Sequence, residues 1–151
     1  MPDPLKFLYT NADFLQNKLH ELSSIATRDD LDVICVTETL PKTRRTLDSV
    51  TNLPLNNYTD YNCNTGRGVT IYVNNKLKSE LVNFDHNFND QIWVRLEITP
   101  KNHILLGGIY RSPNSNTYNN DLLIDLFDKL TNNTDIVVMG DFNFKEIDWK
   151  N

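Results

Sequence analysis

Asp32-Val33-Ile34-Cys35-Val36-Thr37-Glu38 is an uninterrupted β-favouring run closed by an acid. A strand apolar at consecutive positions predicts burial on both faces, as in a sheet covered by helices rather than one facing water. Ahead of it, Leu15, Leu19, Leu22, Ile25 and Ala26 recur at helical intervals and predict one buried helix face. Residues 6–10 read as an earlier strand, and Asp13 with Gln16 suits a capping box at the helix start. Strand, helix and strand make one βαβ crossover. The same design returns near the end of the chain. Residues 118–130 carry Leu122, Leu126, Phe127 and Leu130 at helical spacing, and Asp135-Ile136-Val137-Val138-Met139 reads as a second fully buried strand, followed by Gly140 and Asp141.

Between these units, residues 41–57 are polar and read as a long surface loop. Short strands at 58–61 and 69–73 flank Gly66-Arg67-Gly68, where glycines suit a tight hairpin. Ile92, Val94, Leu96 and Ile98 alternate with polar or large neighbours, and a turn at 99–102 leads into residues 103–110, which predicts an antiparallel meander.

The 151 residues, with 15 Lys+Arg against 20 Asp+Glu, have a net charge of −5, which argues against whole-surface attraction to nucleic acid and leaves room for a local basic stripe. No apolar run is long enough to cross a membrane, and residues 1–6 do not form the basic lead of a secretory signal. Two cysteines without metal-ligand spacing fit a reducing compartment, so the expected location is intracellular, nuclear or cytoplasmic, and not secreted. Asparagine is over-used, 21 of 151, but it forms no tract and so defines no low-complexity segment.

Both buried runs end in an acid, Glu38 and Asp141, and ligands of α/β sheets gather at the carboxyl ends of strands. Taken singly, such acids are ordinarily solvated turn residues. Here Asn11 and Asp13 also follow a strand, Tyr110-Arg111 ends another, and Asp141 and Asn143 sit two apart. If the sheets face each other, these groups share one crevice.

Five strings occur in order: Leu8 to Asp13 (LYTNAD), Val36 to Thr39 (VTET), Gly66 to Val73 (GRGVTIYV), Gly107 to Ser115 (GGIYRSPNS) and Ile136 to Trp149 (IVVMGDFNFKEIDW). Together they make the chain resemble the endonuclease domain that precedes the reverse transcriptase in jockey-like non-LTR retrotransposons, within the endonuclease/exonuclease/phosphatase superfamily. The resemblance implies a four-layer α/β sandwich of the deoxyribonuclease I-like type, incomplete at its C-terminus, with residues 1–151 forming a partial domain that ends just after the Gly-Asp-Phe-Asn motif. It implies metal-dependent hydrolysis of DNA phosphodiesters, with Mg²⁺ or Mn²⁺ as cofactor, DNA as partner, no membrane, and a parent chain fused to a reverse transcriptase.

Carried over residue by residue, the resemblance makes Glu38 the metal-binding carboxylate, a hard ligand of the kind Mg²⁺ takes. Asn11 becomes the amide beside metal and scissile phosphate. Asp13 becomes an acid near the metal, a role that one carboxylate can share with helix capping. Tyr110 matches a phosphate-contacting tyrosine or, as an alternative, an aromatic in the core rim. Asp141 matches the group that orients or deprotonates water, and Asn143 the amide that stabilises phosphate oxygens. Arg111 is placed to pair with a phosphate or a neighbouring acid. Arg44, Arg45 and Arg67, with Lys42, form a candidate phosphate-tracking patch or an ordinary solvated loop.

One departure stands out: the family pattern ends in a Ser-Asp-His element, whereas His20, His86 and His103 all precede Asp141. The expected outcome is a chain inactive or weakly active alone. Two alternatives stay open: a non-catalytic remnant or interaction module derived from a mobile element, and a phosphatase of the same superfamily acting on inositol phosphates or lipids.

Overall fold

A computed structural model describes residues 3–43, 53–130 and 135–144. The elements are β1 (Phe7–Asn11), a 3-10 turn (Leu15–Asn17), α1 (Leu19–Asp29), β2 (Val33–Thr37), β3 (Tyr58–Cys63), β4 (Val69–Asn74), β5 (Lys78–Leu81), β6 (Gln91–Thr99), β7 (Asn102–Tyr110), α2 (Thr117–Leu130) and β8 (Ile136–Asp141). They build two four-stranded sheets with orders β1-β2-β4-β3 and β5-β6-β7-β8.

Side-chain alternation sorts the layers. In β2, Val33 and Cys35 face the second sheet, while Ile34 and Val36 face α1. In β6, Ile92, Val94 and Leu96 meet the first sheet, and Trp93 meets α2. Helix, sheet, sheet and helix are therefore stacked around three apolar layers, the four-layer sandwich expected from the sequence. Every residue of β2 is buried, as its composition requires.

The two βαβ units align the chain ends that matter. β1 and β2 pair in parallel with Asn11 opposite Thr37, and β7 and β8 pair in parallel with Tyr110 opposite Asp141. Parallel neighbours need a crossover, supplied here by α1 and α2. All four strands thus finish at one end of the sandwich.

Three local expectations need correction. No side chain caps the first helix: Asp13 (φ 42°) and Phe14 (φ 85°) have left-handed backbones, and a 3-10 turn intervenes before α1 starts at Leu19. Leu15 nevertheless joins Leu22 and Ala26 in the core beneath α1. The meander is split, because β3 and β4 form a hairpin in the first sheet while β5, missed in the sequence, opens the second. β8 is half-buried throughout rather than fully buried. It pairs with β7 on one side only and stands at the sheet edge among the described residues. Its composition anticipated neighbours on both sides.

Candidate active site

The carboxyl ends of β1 and β2 stay tied together beyond the ladder. Ala12 N–H donates to the Thr37 carbonyl (3.0 Å), Phe14 N–H to Glu38 (2.8 Å) and Leu15 N–H to Thr39 (3.2 Å). These bonds hold Glu38 at φ 54°, a left-handed conformation that a residue with a long side chain seldom adopts. Asn143 is also left-handed, at φ 49°. Left-handed non-glycine residues cost about 1 kcal/mol or more each and persist where surrounding contacts over-determine them.

Two hydrogen bonds cross between the sheets at this end. Tyr110 Oη donates to Glu38 Oε1 at 3.0 Å, and Asn11 Nδ2 donates to Asp141 Oδ2 at 3.2 Å. The amide orientation of Asn11 is set from both sides, because its Oδ1 accepts the Asp13 N–H at 3.0 Å. Burial, reinforced by the Glu38 carboxylate, pushes the Tyr110 hydroxyl up to about 12, so it remains a donor across the physiological range. Tyr9 lines the same cleft two residues before Asn11, with its hydroxyl 2.8 Å from Thr37 Oγ1. Tyr9, Asn11, Asp141, Asn143 and Phe144 border an open cleft of about 510 Å³.

Arg67, one of the candidate phosphate contacts, lies on two acids in this structure. Its Nη2 is 2.8 Å from Asp13 Oδ1 and 3.3 Å from Glu38 Oε2. This guanidinium holds the Asp13 carboxyl below its ordinary value. The turn that delivers Arg67 depends on Gly68: with φ 83°, a Cβ there would stand 2.1 Å from Thr39 Oγ1. Glycine lets the hairpin lie directly on the segment following Glu38.

Arg111 is likewise not turned to the cleft. It is 6% exposed, with Nε on Asn120 Oδ1 (2.8 Å), Nη1 on the carbonyls of Phe142 (3.1 Å) and Asn143 (2.7 Å), and its guanidinium 3.9 Å above the Phe144 ring. Asn143 reciprocates, donating Nδ2 to the Arg111 carbonyl at 2.7 Å, so its amide nitrogen is engaged by backbone. This pair clamps the chain leaving β8. Asn120 and Phe144, absent from the sequence reading, complete the clamp, and only their tertiary placement identifies them. Arg44 and Arg45 lie outside the described residues.

The available donors are hard oxygens: the Glu38 carboxylate, with the Asn11 amide and the carboxylates of Asp13 and Asp141 close by. Among the described residues, no three Asp, Glu, His or Cys groups converge on one point. That set is chemically compatible with an ion such as Mg²⁺, which takes one or two carboxylates and keeps most of its water, and Glu38 and Asp13 are the carboxylates that could receive it. Cys35 contributes nothing reactive, since burial raises its thiol to about 12 and it points at the Met139 carbonyl.

Fold and cluster together define a four-layer α/β sandwich with polar groups gathered at its strand ends. The model of the endonuclease/exonuclease/phosphatase family matches residues 8–151, and the chain belongs to that family. Similar solved structures include the endonuclease domain of TRAS1, a telomere-specific non-LTR retrotransposon (16% identity, TM-score 0.67, covering 95% of this chain and 61% of that one). The AP endonucleases from Leishmania major (15%, 0.65, 90% and 54%) and Archaeoglobus fulgidus (19%, 0.63, 91% and 56%) are similar as well. The chain thus spans less than two thirds of the length of each. No curated protein matches it.

Proposed function

We propose that this chain carries the metal-binding half of a DNA phosphodiesterase site, of the kind that nicks target DNA for a retrotransposon, and that the chain alone hydrolyses DNA weakly or not at all. The observation that carries the reading is the pair of cross-sheet hydrogen bonds, Tyr110 to Glu38 and Asn11 to Asp141, which joins four strand ends in one crevice. In this reading Glu38 holds Mg²⁺ or Mn²⁺, with Asp13 beside it. The ion would supply charge neutralisation at the phosphate and a more acidic bound water.

Around it, each side chain has a task set by its present partners. Tyr110 keeps its proton and orients the Glu38 carboxylate. Asn11 fixes the rotamer of Asp141, which leaves the second Asp141 oxygen to accept a proton from, or aim, an attacking water. Arg111 and Asn143 position the Phe142–Phe144 segment on the cleft wall. His86 is tied to Asp125 at 3.0 Å beside α2, and His103 lies at the opposite end of β7 from Tyr110. No histidine bonds to a member of the cluster among the described residues.

The test combines duplex binding, by fluorescence anisotropy with and without Mg²⁺, with nicking of supercoiled plasmid and release of phosphate from inositol phosphates. Mg²⁺-dependent DNA binding that Glu38→Gln removes, with slow or absent nicking, is the expected result. Robust nicking lost in Glu38→Gln and Asp141→Asn overturns the predicted impairment. Activity on inositol phosphates, or no Mg²⁺-dependent DNA binding, overturns the substrate assignment.

A further inference from the structure

The carboxylates that would receive a metal already share a cation. Arg67 Nη2 bridges Asp13 Oδ1 and Glu38 Oε2 at 2.8 and 3.3 Å, while Tyr110 occupies the other Glu38 oxygen. Arg67 has a further partner besides these acids, for its guanidinium and its backbone alike. Its Nε donates to the Leu40 carbonyl at 3.2 Å, and Leu40 N–H donates back to the Arg67 carbonyl at 2.8 Å. The Gly66-Arg67-Gly68 turn therefore presses the guanidinium onto the Glu38 segment, and the side chain is only 18% exposed. A guanidinium never deprotonates under working conditions, so this positive charge is permanent.

We propose that Arg67 is a built-in competitor of the divalent ion: in the metal-free protein its guanidinium occupies the Glu38–Asp13 position, and a cation gains Glu38 only by displacing it. The proposal rests on the metal-dependent reading above and deepens it. Asp13 and Glu38 stand close enough to share one guanidinium nitrogen, and Arg67 is the cation the structure places directly on both. With Arg67 in place, an arriving dication meets both a filled oxygen and a like charge a few ångströms away. Without it, the same oxygens face solvent as an uncompensated acidic cluster, which attracts the ion more strongly. The exchange requires the planar guanidinium to swing away as one unit, giving up the Nε bond to the Leu40 carbonyl together with the acids, while the Leu40 N–H bond to the Arg67 carbonyl keeps the turn in place.

Mn²⁺ binding to the whole chain, measured by electron paramagnetic resonance and by calorimetry, tests this without relying on catalysis. Arg67→Gln is expected to bind Mn²⁺ on the order of tenfold more tightly than wild type, and Glu38→Gln to lose binding. Equal or weaker binding by Arg67→Gln, with Glu38-dependence retained, overturns the competition and leaves the metal reading standing. Absence of Mn²⁺ binding in both wild type and Arg67→Gln overturns both. A measurement on wild type covers the case in which the variant does not fold. The Arg67 Nε–H resonance is expected to move with Mg²⁺ as the Nη2 end leaves the acids, and an Arg67 signal unchanged at saturating Mg²⁺ overturns the proposal.

Discussion

Strand β2 is bracketed by two acids six residues apart, and they meet opposite fates. At its start, Asp32 accepts the backbone N–H of Lys6 at 2.7 Å and the Lys76 ammonium at 3.0 Å. At its end, Glu38 has a tyrosine hydroxyl and a guanidinium shared with Asp13, on a left-handed backbone. Burial does not separate them, because the Asp32 and Glu38 side chains are 8% and 15% exposed. The separation lies in the donors. Asp32 is held by the main chain and by Lys76, which also meets Asp30 at 3.3 Å, at the far end of the sandwich. Glu38 is held by side chains, shares the Arg67 guanidinium with Asp13 and has a left-handed backbone.

The sharpest way to break this contrast is at Glu38. Glu38→Gln is expected to lower Mg²⁺-dependent duplex binding on the order of 100-fold, while the urea midpoint stays close to wild type. A large loss of stability instead would make Glu38 a structural acid like Asp32. Next comes Asp32→Ala, which removes two charge-assisted bonds and is expected to cost about 2 kcal/mol in urea unfolding. Its Mn²⁺ affinity should remain at the wild-type value; a parallel fall would show that the two ends are coupled through β2.

A smaller effect is expected at the exit of β8. Asn143→Ala loses the bond to the Arg111 carbonyl and puts alanine at φ 49°, together about 1 kcal/mol, whereas Asn143→Gly relieves the backbone and should cost less. Equal costs would assign the whole effect to the hydrogen bond. The smallest effect concerns an acid at neither end. His86 first, and then Lys129, hold the Asp125 carboxyl below its ordinary value. A lowered carboxylate stabilises the fold above its unfolded pKa, about 3.9, and that contribution disappears as pH falls through the lower folded value. Thermal melts of wild type should therefore lose a component below about pH 4 that Asp125→Asn lacks.

Much of the architecture was readable from periodicity. The continuous apolar run of β2 and the helical spacing of Leu15, Leu22 and Ala26 each encode which neighbours a segment must have, because burial is a local requirement on composition. The same logic misread β8, whose Ile136-Val137-Val138-Met139 composition asks for neighbours on both sides while the described residues supply one. β5 escaped notice because Lys78-Ser79-Glu80-Leu81 is an exposed edge with little apolar signal. The capping box failed because the chain needs Asp13 and Phe14 for a left-handed turn, and no pairwise motif reports that demand.

At the site, residue identity and order selected Asn11, Glu38, Tyr110 and Asp141 as a group, since acids and amides at strand ends are where an α/β sandwich presents polar atoms. Their bonding was not readable. Which oxygen of Glu38 meets Tyr110, and which acid receives Arg67, depend on how two sheets face each other and on a glycine turn folding back across the strand ends. Arginine in a sequence announces a positive charge but not its partner. Thus Arg67 and Arg111, both equally plausible phosphate ligands on paper, end respectively on two carboxylates and on two carbonyls. The amino-acid sequence by itself determined the layers, the two crossovers and the residues available at one end, because these follow from local patterns of burial and from chain order. Only the tertiary structure decided the pairings, because hydrogen bonds and ion pairs are short-range and the residues that form them stand up to 130 positions apart.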